Sequence, residues 1–486
     1  MSKKPKTAIT PTREEDFPAW YQEVIKAADM AENAPVRGCM NIKPYGYALW
    51  ENIQQIFDVW LKDYGVQNAS FPVLIPVSFL EKEAEHVEGF AKECAVVTHH
   101  RLEADPEKGG LRPAPSAELE EPYVVRPTSE TIIGDAMSRW IQSYRDLPMK
   151  LNQWGSVMRW EMRTRMFLRT AEFFWHEGHN AFKDADGAKG DCLHVLDLYE
   201  KFFREYLAIP GIKGIKTADE RFPGAVETYC IESLMQDGKA LQAATTHDLG
   251  QNFAKSCEIK FQDKDSTEKF VHTTSWAFSS RIIGAMIMMH ADDDGMIMPP
   301  RVAPYQIEIL PIIRDDADTD RVMTYANELK AKLKEMGLKA HLNDSDARTG
   351  DKIWGSVKKG VPLRVEIGGR EVDDGTLTHV RRDIGRDSKT TCTMDEFTAS
   401  VSGILDDIHD QLYARSLARQ DAQMVEISGV NALDEHFEKG GLGLVKIDAA
   451  LLDSAEYDAV KKKHSLTTRC LPFDSDGAKA LVAKAY

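Results

Sequence analysis

The sequence predicts an α+β protein: an antiparallel-sheet unit over residues 16–298, an α/β unit over 299–416 and a small α/β unit over 417–486. Three observations predict this. Between Tyr123 and His179, strand-like segments are joined by hairpin-length turns, the pattern of antiparallel pairing. The stretch 292–304, DDDGMIMPPRVAP, combines a charge run with paired prolines, the composition of a unit boundary. Beyond it, apolar and periodic segments alternate as β-α-β-α-β-β-α. A length of 486 residues is itself several times that of a usual domain.

Composition sets the broad class. With 43% hydrophobic and 28% charged residues the chain can bury a real core and is not a disordered polar chain. Lys+Arg 61 against Asp+Glu 77 leaves a net charge of −16, so a polyanionic partner has to be gripped by a local basic surface. The seven cysteines are scattered and never form C-x-x-C, which argues against a disulfide framework or a zinc ribbon and fits a reducing cytosol. The basic N-terminus is followed by charges, and no run approaches 18 apolar residues, so neither secretion nor membrane spanning is expected.

Taken in order, residues 1–15 are expected to be a flexible tail, and Asp16-Phe17-Pro18-Ala19-Trp20 opens a helix to about Met30. After a loop with Pro35, Gly38 and Pro44, the run Tyr47 to Tyr64 places Leu49, Ile53, Ile56, Phe57 and Trp60 at helical spacing, and Gly65 caps it. FPVLIPVSFL (71–80) is interrupted by Pro72 and Pro76, which confines it to a sheet edge and makes it a candidate dimer surface. Residues 101–122, rich in Pro, Gly and Glu, predict a mobile loop or hairpin. Strand-like YVVRP, a helix at 129–145, strand-like KLNQWGSVMRWEM and TAEFFWHEGHNAF, a helix near 185–207 and the apolar run RIIGAMIMMH (281–290) complete the first unit. The second reads YQIEILPII, a helix at 318–336, LKAHLND, a helix near 351–359, PLRVEIGG, LTHVRRD and a helix near 394–416. The last 70 or so residues carry a weaker mixed pattern.

The most specific pattern lies between Arg159 and Glu177: Arg159-Trp160-Glu161, a short loop, then Arg169-Thr170-Ala171-Glu172-Phe173-Phe174-Trp175-His176-Glu177. In an antiparallel hairpin Arg159 and Glu161 share a face, because side chains alternate with period two, and so do Phe173 and Glu177 on the return strand. One surface then gathers two arginines able to grip phosphate oxygens, a carboxylate able to accept from an amino group, and a ring on which a base can stack. That is the chemistry of a bent nucleoside triphosphate lying on a sheet.

R-x-E, a loop, then R-x-x-x-F-x-x-x-E resembles the second signature motif of the class II aminoacyl-tRNA synthetases. The third, an arginine opening a long apolar helix, is matched by Arg281 in TSWAFSSRIIGAMIMM. The first, a helix running into a proline-bearing strand, is matched by residues 47–76. Within the class, Arg126-Pro127-Thr128-Ser129-Glu130, Lys150 to Trp154, Phe173 to His179, Thr245 to Phe253 and Pro299 to Pro304 resemble the prolyl-tRNA synthetases, over about residues 15–416. Only about 100 residues separate Glu177 from Arg281, too few for the editing insertion of the bacterial-like form, so the resemblance is to the archaeal/eukaryotic-like form.

The resemblance implies a class II catalytic domain, an α/β anticodon-binding domain and a small C-terminal domain. It further implies a cytoplasmic homodimer that activates L-proline with ATP and Mg²⁺ to prolyl-adenylate and transfers it to tRNA(Pro). Arg159 is then expected at the α-phosphate and the proline carboxylate, Arg281 at the γ-phosphate, and Glu161 with Phe173 at the adenine. Arg169, Thr170, Gln242, Thr245 and Ser279 are further expected ATP contacts. Thr128 and Glu130 match the segment that receives the proline imino group, with Arg159, Trp175, Glu177 and His247 around it. Arg364, Glu366, Arg370, Arg381 and Arg382 are expected to supply the basic surface for tRNA. Zinc is not expected, since only Cys470 lies beyond residue 416, and neither a membrane nor DNA is an expected partner.

Plainer readings stand beside these. An isolated R-x-E is a surface ion pair; here the second half-motif and the later arginine lift it above that. Met286, Met288 and Met289 read as core filler, and Cys230 and Cys257 as buried small hydrophobes. His176, His179, His247 and His290 lack H-E-x-x-H spacing and argue against a histidine-held metal. Asp292 to Asp294 read as a solvated linker, and Arg381-Arg382 is balanced between tRNA contact and a solvated strand end. The functional alternatives are a sister enzyme for threonine or glycine, and a catalytically silent paralogue with a regulatory or tRNA-binding role. A silent paralogue tends to lose a phosphate-gripping arginine, whereas Arg159, Arg169 and Arg281 all stand.

Overall fold

The structure, a computed structural model, describes residues 7–81, 93–313 and 318–486. The first unit runs through α1 (Phe17–Ala27), α2 (Pro44–Asp63), β1 (Gln67–Asn68), β2 (Leu74–Pro76), β3 (Glu118–Val125) and α3 (Glu130–Trp140). The hairpin β4 (Met149–Met158) and β5 (Glu172–Phe182) follows, then α4 (Ala185–Leu207), β6 (Ile212–Ile215), β7 (Glu227–Leu234), β8 (Ala240–Gly250), β9 (His272–Ser279) and α5 (Arg281–His290). The second unit comprises β10 (Ile307–Ile312), α6 (Thr319–Glu335), β11 (Ala340–Leu342), α7 (Thr349–Lys359), β12 (Leu363–Gly368), β13 (Thr376–Arg381), β14 (Thr390–Thr393) and α8 (Met394–Ala422). The last segment adds β15 (Met424–Glu426), α9 (Val430–Glu438), β16 (Leu444–Asp448), α10 (Ala455–His464), β17 (Thr467–Pro472) and β18 (Lys479–Ala483).

An eleven-stranded sheet, ordered β15-β16-β18-β17-β6-β7-β8-β9-β5-β4-β1, spans the molecule. Its pairings are antiparallel except for β15 with β16 and β4 with β1. One face packs on helices. Leu49, Trp50, Ile53, Phe57 and Leu61 of α2 and Tyr199, Phe202 and Phe203 of α4 are buried against Phe278 of β9, each large side chain contributing about 1.5–3 kcal/mol. His176 of β5 belongs to this face: Asn152 and Tyr199 hydrogen-bond its ring, which lies 4.4 Å from that of Phe278. Burial pushes its imidazole down to about 3, so it stays neutral inside the core. Helix α5 is apolar all round and buried from Ile282 to His290, with Met286, Met288 and Met289 as filler. Cys230 is buried as expected, whereas Cys257 is only partly so.

The second unit has the five-stranded order β11-β10-β12-β13-β14, parallel across the first three strands and antiparallel after them. The last segment does not fold around a sheet of its own. Its β17 pairs with β6, joining its four strands to the large sheet. A buried ion cluster seals the seam: Glu232 of β7 accepts from Lys216 at 2.9 Å and from Arg469 of β17 at 2.9 Å.

Four expectations are corrected in detail. The helix placed over 129–145 stops at Trp140, because the Asp146 carboxylate takes the backbone N–H groups of Gln142 and Ser143 and closes a separate turn. The 71–80 strand shrinks to β2, an edge as predicted, with a helical turn over Val77–Glu81. Residues 1–6 of the expected tail lie outside the described residues, but 7–15 are tied down: Ile9 is buried, and Arg13 donates to Asp293 and Gln236. Nor is 292–304 a solvated linker. Met296, Met298, Val302 and Ala303 are buried, and Asp292 is clasped by Arg382 through both terminal nitrogens, at 2.8 and 2.6 Å. Opposite charges 90 residues apart meet here, so the acidic run glues the units instead of spacing them.

Candidate active site

The face of the large sheet away from α2 and α4 carries the cleft. On β5 the odd-numbered side chains Phe173, Trp175, Glu177 and His179 face it, and register sets them in rows. Glu177 lies opposite Ala277 of β9, itself opposite Thr245 of β8, while His179 faces Ser275 and then His247. Strict alternation would put Gln242 and Thr245 on opposite faces of β8. The register shift between Ile231 and Glu232 leaves Ala243 as an extra residue, and both Gln242 and Thr245 reach the cleft.

One cavity of about 320 Å³ is lined by Thr128, Glu130, Arg159, Trp175, Glu177, His247 and their neighbours. Thr128 donates its hydroxyl to the Glu130 carboxylate. Arg159 donates Nε to the Pro127 carbonyl at 3.0 Å, and its guanidinium lies 5.5 Å from the rings of both Phe173 and Trp175. Burial opposes ionisation of Glu177, but donors from His179, Ser129 and Gln153 outweigh it and hold its carboxyl below the ordinary value. His247 contacts the hydroxyl of Thr228 at 3.0 Å and lies 4.5 Å from the ring of Phe222. Burial, helped by the charges of His179 and Arg159, pushes it down to about 3, so it is a neutral wall. Trp175, Phe222 and His247 thus line one cavity with the carboxylates of Glu130 and Glu177 and the guanidinium of Arg159.

A second cavity, of about 650 Å³, adjoins the first and shares Arg159, Phe173, Ser279 and Arg281 with it. Glu161, Arg169 and Thr170 also line it, together with Arg163, Arg165, Lys239 and Tyr486. Arg169 pairs with Glu161 at 2.7 Å, and Arg281 donates Nε to the Leu168 carbonyl at 3.0 Å. The Thr170 hydroxyl is turned to the Glu172 carbonyl at 2.7 Å. Five arginines, Arg159, Arg163, Arg165, Arg169 and Arg281, thus border one space. The sequence reading missed the loop residues Arg221 and Phe222, and Arg163, Arg165, Lys239 and Tyr486; the first two follow no strand pattern, Arg163 and Arg165 lie in the short loop of the hairpin itself, and Lys239 and Tyr486 arrive from a distant turn and the chain end. His179 was legible, two positions past Glu177 in the same row.

The second unit treats its arginines otherwise. Arg364 pairs with Glu366 at 3.1 Å, and Glu366 also holds Lys389. Arg381 pairs with Asp383 and Asp407, and the Arg382 side chain, 7% exposed, is spent on Asp292. Only Arg370 of the expected set stands out in solvent, 89% exposed with Asp374 at 3.7 Å. The five residues do not form one open basic surface, because carboxylates answer Arg364, Arg381 and Arg382 at close range and Glu366 is itself acidic. Among the described residues, no group of three or more His, Cys, Asp or Glu is placed to hold a metal ion, and no helix is long and apolar enough to cross a membrane.

Known proteins resemble this chain over nearly its whole length. The family model described as tRNA synthetase class II core domain (G, H, P, S and T) matches residues 115–290, and that for an anticodon-binding domain matches 306–403. The proline–tRNA ligase of Bdellovibrio bacteriovorus is 49% identical over 478 residues, covering 97% of this chain and 95% of its own length. That of Akkermansia muciniphila is 50% identical over 484 residues, covering 97% and 94%. The crystal structure of prolyl-tRNA synthetase from Cryptosporidium parvum, complexed with halofuginone and AMPPNP, superposes with a TM-score of 0.89 at 32% identity and 99% coverage of both chains.

Proposed function

This chain belongs to the proline–tRNA ligases, and we propose that its two adjoining cavities divide the reaction between them. It is a class II ligase that activates L-proline with ATP and charges tRNA(Pro). The convergence of Arg159, Arg169 and Arg281 on one space beside the smaller cavity carries the residue assignment.

Proline sits in the smaller cavity, its secondary ammonium toward Glu130 and Thr128 and its ring among Trp175, Phe222 and His247. Its carboxylate points to Arg159, the residue common to both spaces. ATP lies folded in the larger cavity, the adenine against Phe173 and near Glu161, the terminal phosphates toward Arg281 and Arg169. That the Cryptosporidium relative was crystallised with AMPPNP supports ATP as the nucleotide. A proline carboxylate oxygen forms the new bond to the α-phosphorus while the bond to the β-phosphate oxygen breaks, releasing pyrophosphate. A ribose hydroxyl of tRNA then attacks the activated carbonyl and AMP leaves. No covalent enzyme intermediate is needed. Arg159 stabilises charge developing at the α-phosphate in a site that excludes water, and its two aromatic neighbours hold it in place. Gln242, Thr245 and Ser279 offer neutral oxygens, a donor set that fits Mg²⁺ arriving on the nucleotide. The ion, when bound, neutralises phosphate charge.

The protein acts as a homodimer in the cytoplasm. The free edge of β2 and the exposed side chains of Val73, Val96, Leu102 and Leu111 support the first statement, and seven free cysteines the second. For tRNA, Arg370 is the exposed contact among the expected residues of the second unit.

Amino-acid-dependent exchange of pyrophosphate into ATP tests the reading. Proline drives robust exchange, and alanine a weaker but measurable one, since a methylene is worth only about 1–3 kcal/mol of discrimination. Arg159→Ala abolishes both. Preference for threonine or glycine, or exchange that survives without Arg159, overturns the assignment.

A further inference from the structure

Glu177 is expected to touch proline, yet its carboxylate is largely engaged within the protein. Oε1 accepts from Ser129 Oγ at 2.6 Å and from Gln153 Nε2 at 3.0 Å, and Oε2 meets His179 Nε2 at 2.9 Å. All four residues are buried. Gln153 is anchored in turn, its amide oxygen accepting the Phe71 backbone N–H at 2.7 Å.

Ser129 is the residue immediately before α3, and Glu130 is the first residue of that helix. Serine at this position ordinarily caps its own helix by accepting from a backbone N–H. Here it makes no such bond, and its hydroxyl reaches across to β5 instead. The start of α3 is therefore tied to the sheet through Glu177, and the Glu130 carboxylate is carried on the next residue. From the other side, Thr128 donates to Glu130. His179 completes the arrangement: its hydrogen bond to the Glu177 carboxylate and the charge of Glu130 outweigh burial and hold its imidazole above the ordinary value, so it answers the Glu177 charge. Glu130 is left as the carboxylate available to a substrate cation.

We propose that Ser129 and His179 are positioning residues for proline: acting through Glu177, they fix the Glu130 carboxylate where the secondary ammonium of the substrate lands. The inference rests on the reading that Glu130 receives that ammonium. Neither residue touches ATP, so their loss moves one substrate and not the other.

The test is steady-state pyrophosphate exchange on the full chain, with thermal melting alongside. Ser129→Ala raises KM for proline about tenfold, the effect of losing one hydrogen bond to a buried charge, while KM for ATP stays within about twofold. His179→Gln acts in the same direction; should it not fold, Ser129→Ala, which removes a single oxygen, carries the test. A proline KM unmoved by Ser129→Ala, or an ATP KM rising with it, overturns the proposal. Glu130→Gln separates the two levels. If it leaves proline KM unchanged, the reading of Glu130 fails; if it raises KM and Ser129→Ala does not, only the positioning role fails.

Discussion

Arg281 in the cleft and Arg381 and Arg382 in the second unit face opposite surroundings. Arg281 lies among its own kind: burial first, then the charges of Arg159, Arg169 and Arg469, push its guanidinium down to about 10. Arg381 is moved the other way. Burial opposes its charge, but Asp383 and Asp407 outweigh burial and hold it above its usual value. Arg382 closes on Asp292 with two nitrogens. Arg281, gathered with other guanidiniums, is held ready for an anion, whereas Arg381 and Arg382, answered by carboxylates, are already part of the fold. The residue type alone does not separate the two, and the count of opposing charges within reach does.

Three changes sharpen that contrast, in descending order of effect. Arg281→Ala lowers the rate of proline-dependent exchange by about 10³-fold, the scale of losing one preorganised donor at developing charge. The protein melts no lower, because a repelled cation has been removed; a large fall in melting temperature would place Arg281 with the structural arginines. Arg382→Ala leaves Asp292 without its partner and costs about 2 kcal/mol in denaturant unfolding, below the range for a fully buried pair because the Asp292 side chain is 32% exposed. The double variant with Asp292→Asn recovers part of this, and simple additivity would show that the clasp is not a coupled unit. Arg370→Ala has the smallest effect, raising KM for tRNA about threefold and flattening its salt dependence by roughly one phosphate contact. If aminoacylation at limiting tRNA does not change, the tRNA surface lies elsewhere.

Much of this was legible in the sequence where a single period governs. The helices over 185–207 and 281–290 begin and end where their apolar patterns do, and period-two alternation placed Phe173 and Glu177 on one surface. The cleft position of Gln242 beside Thr245 came from family resemblance, since the extra residue Ala243 breaks alternation without any mark in composition. The acidic run at 292–294 was misread because charge normally marks solvent, and the cation that buries Asp292 lies 90 residues away. For the same reason Arg382 passed as a nucleic-acid contact. Pairing of β17 with β6 joins residues more than 250 positions apart through backbone groups, which carry no side-chain signature.

That pairing bears on how the protein is made. While the ribosome still holds residues 467–472, β6 has an open border and Glu232 lacks Arg469. A product cut short by a premature stop codon would display that bare border to proteases and to neighbouring chains. The closing strands thus complete the large sheet, and the border they cover is bare only in an unfinished chain.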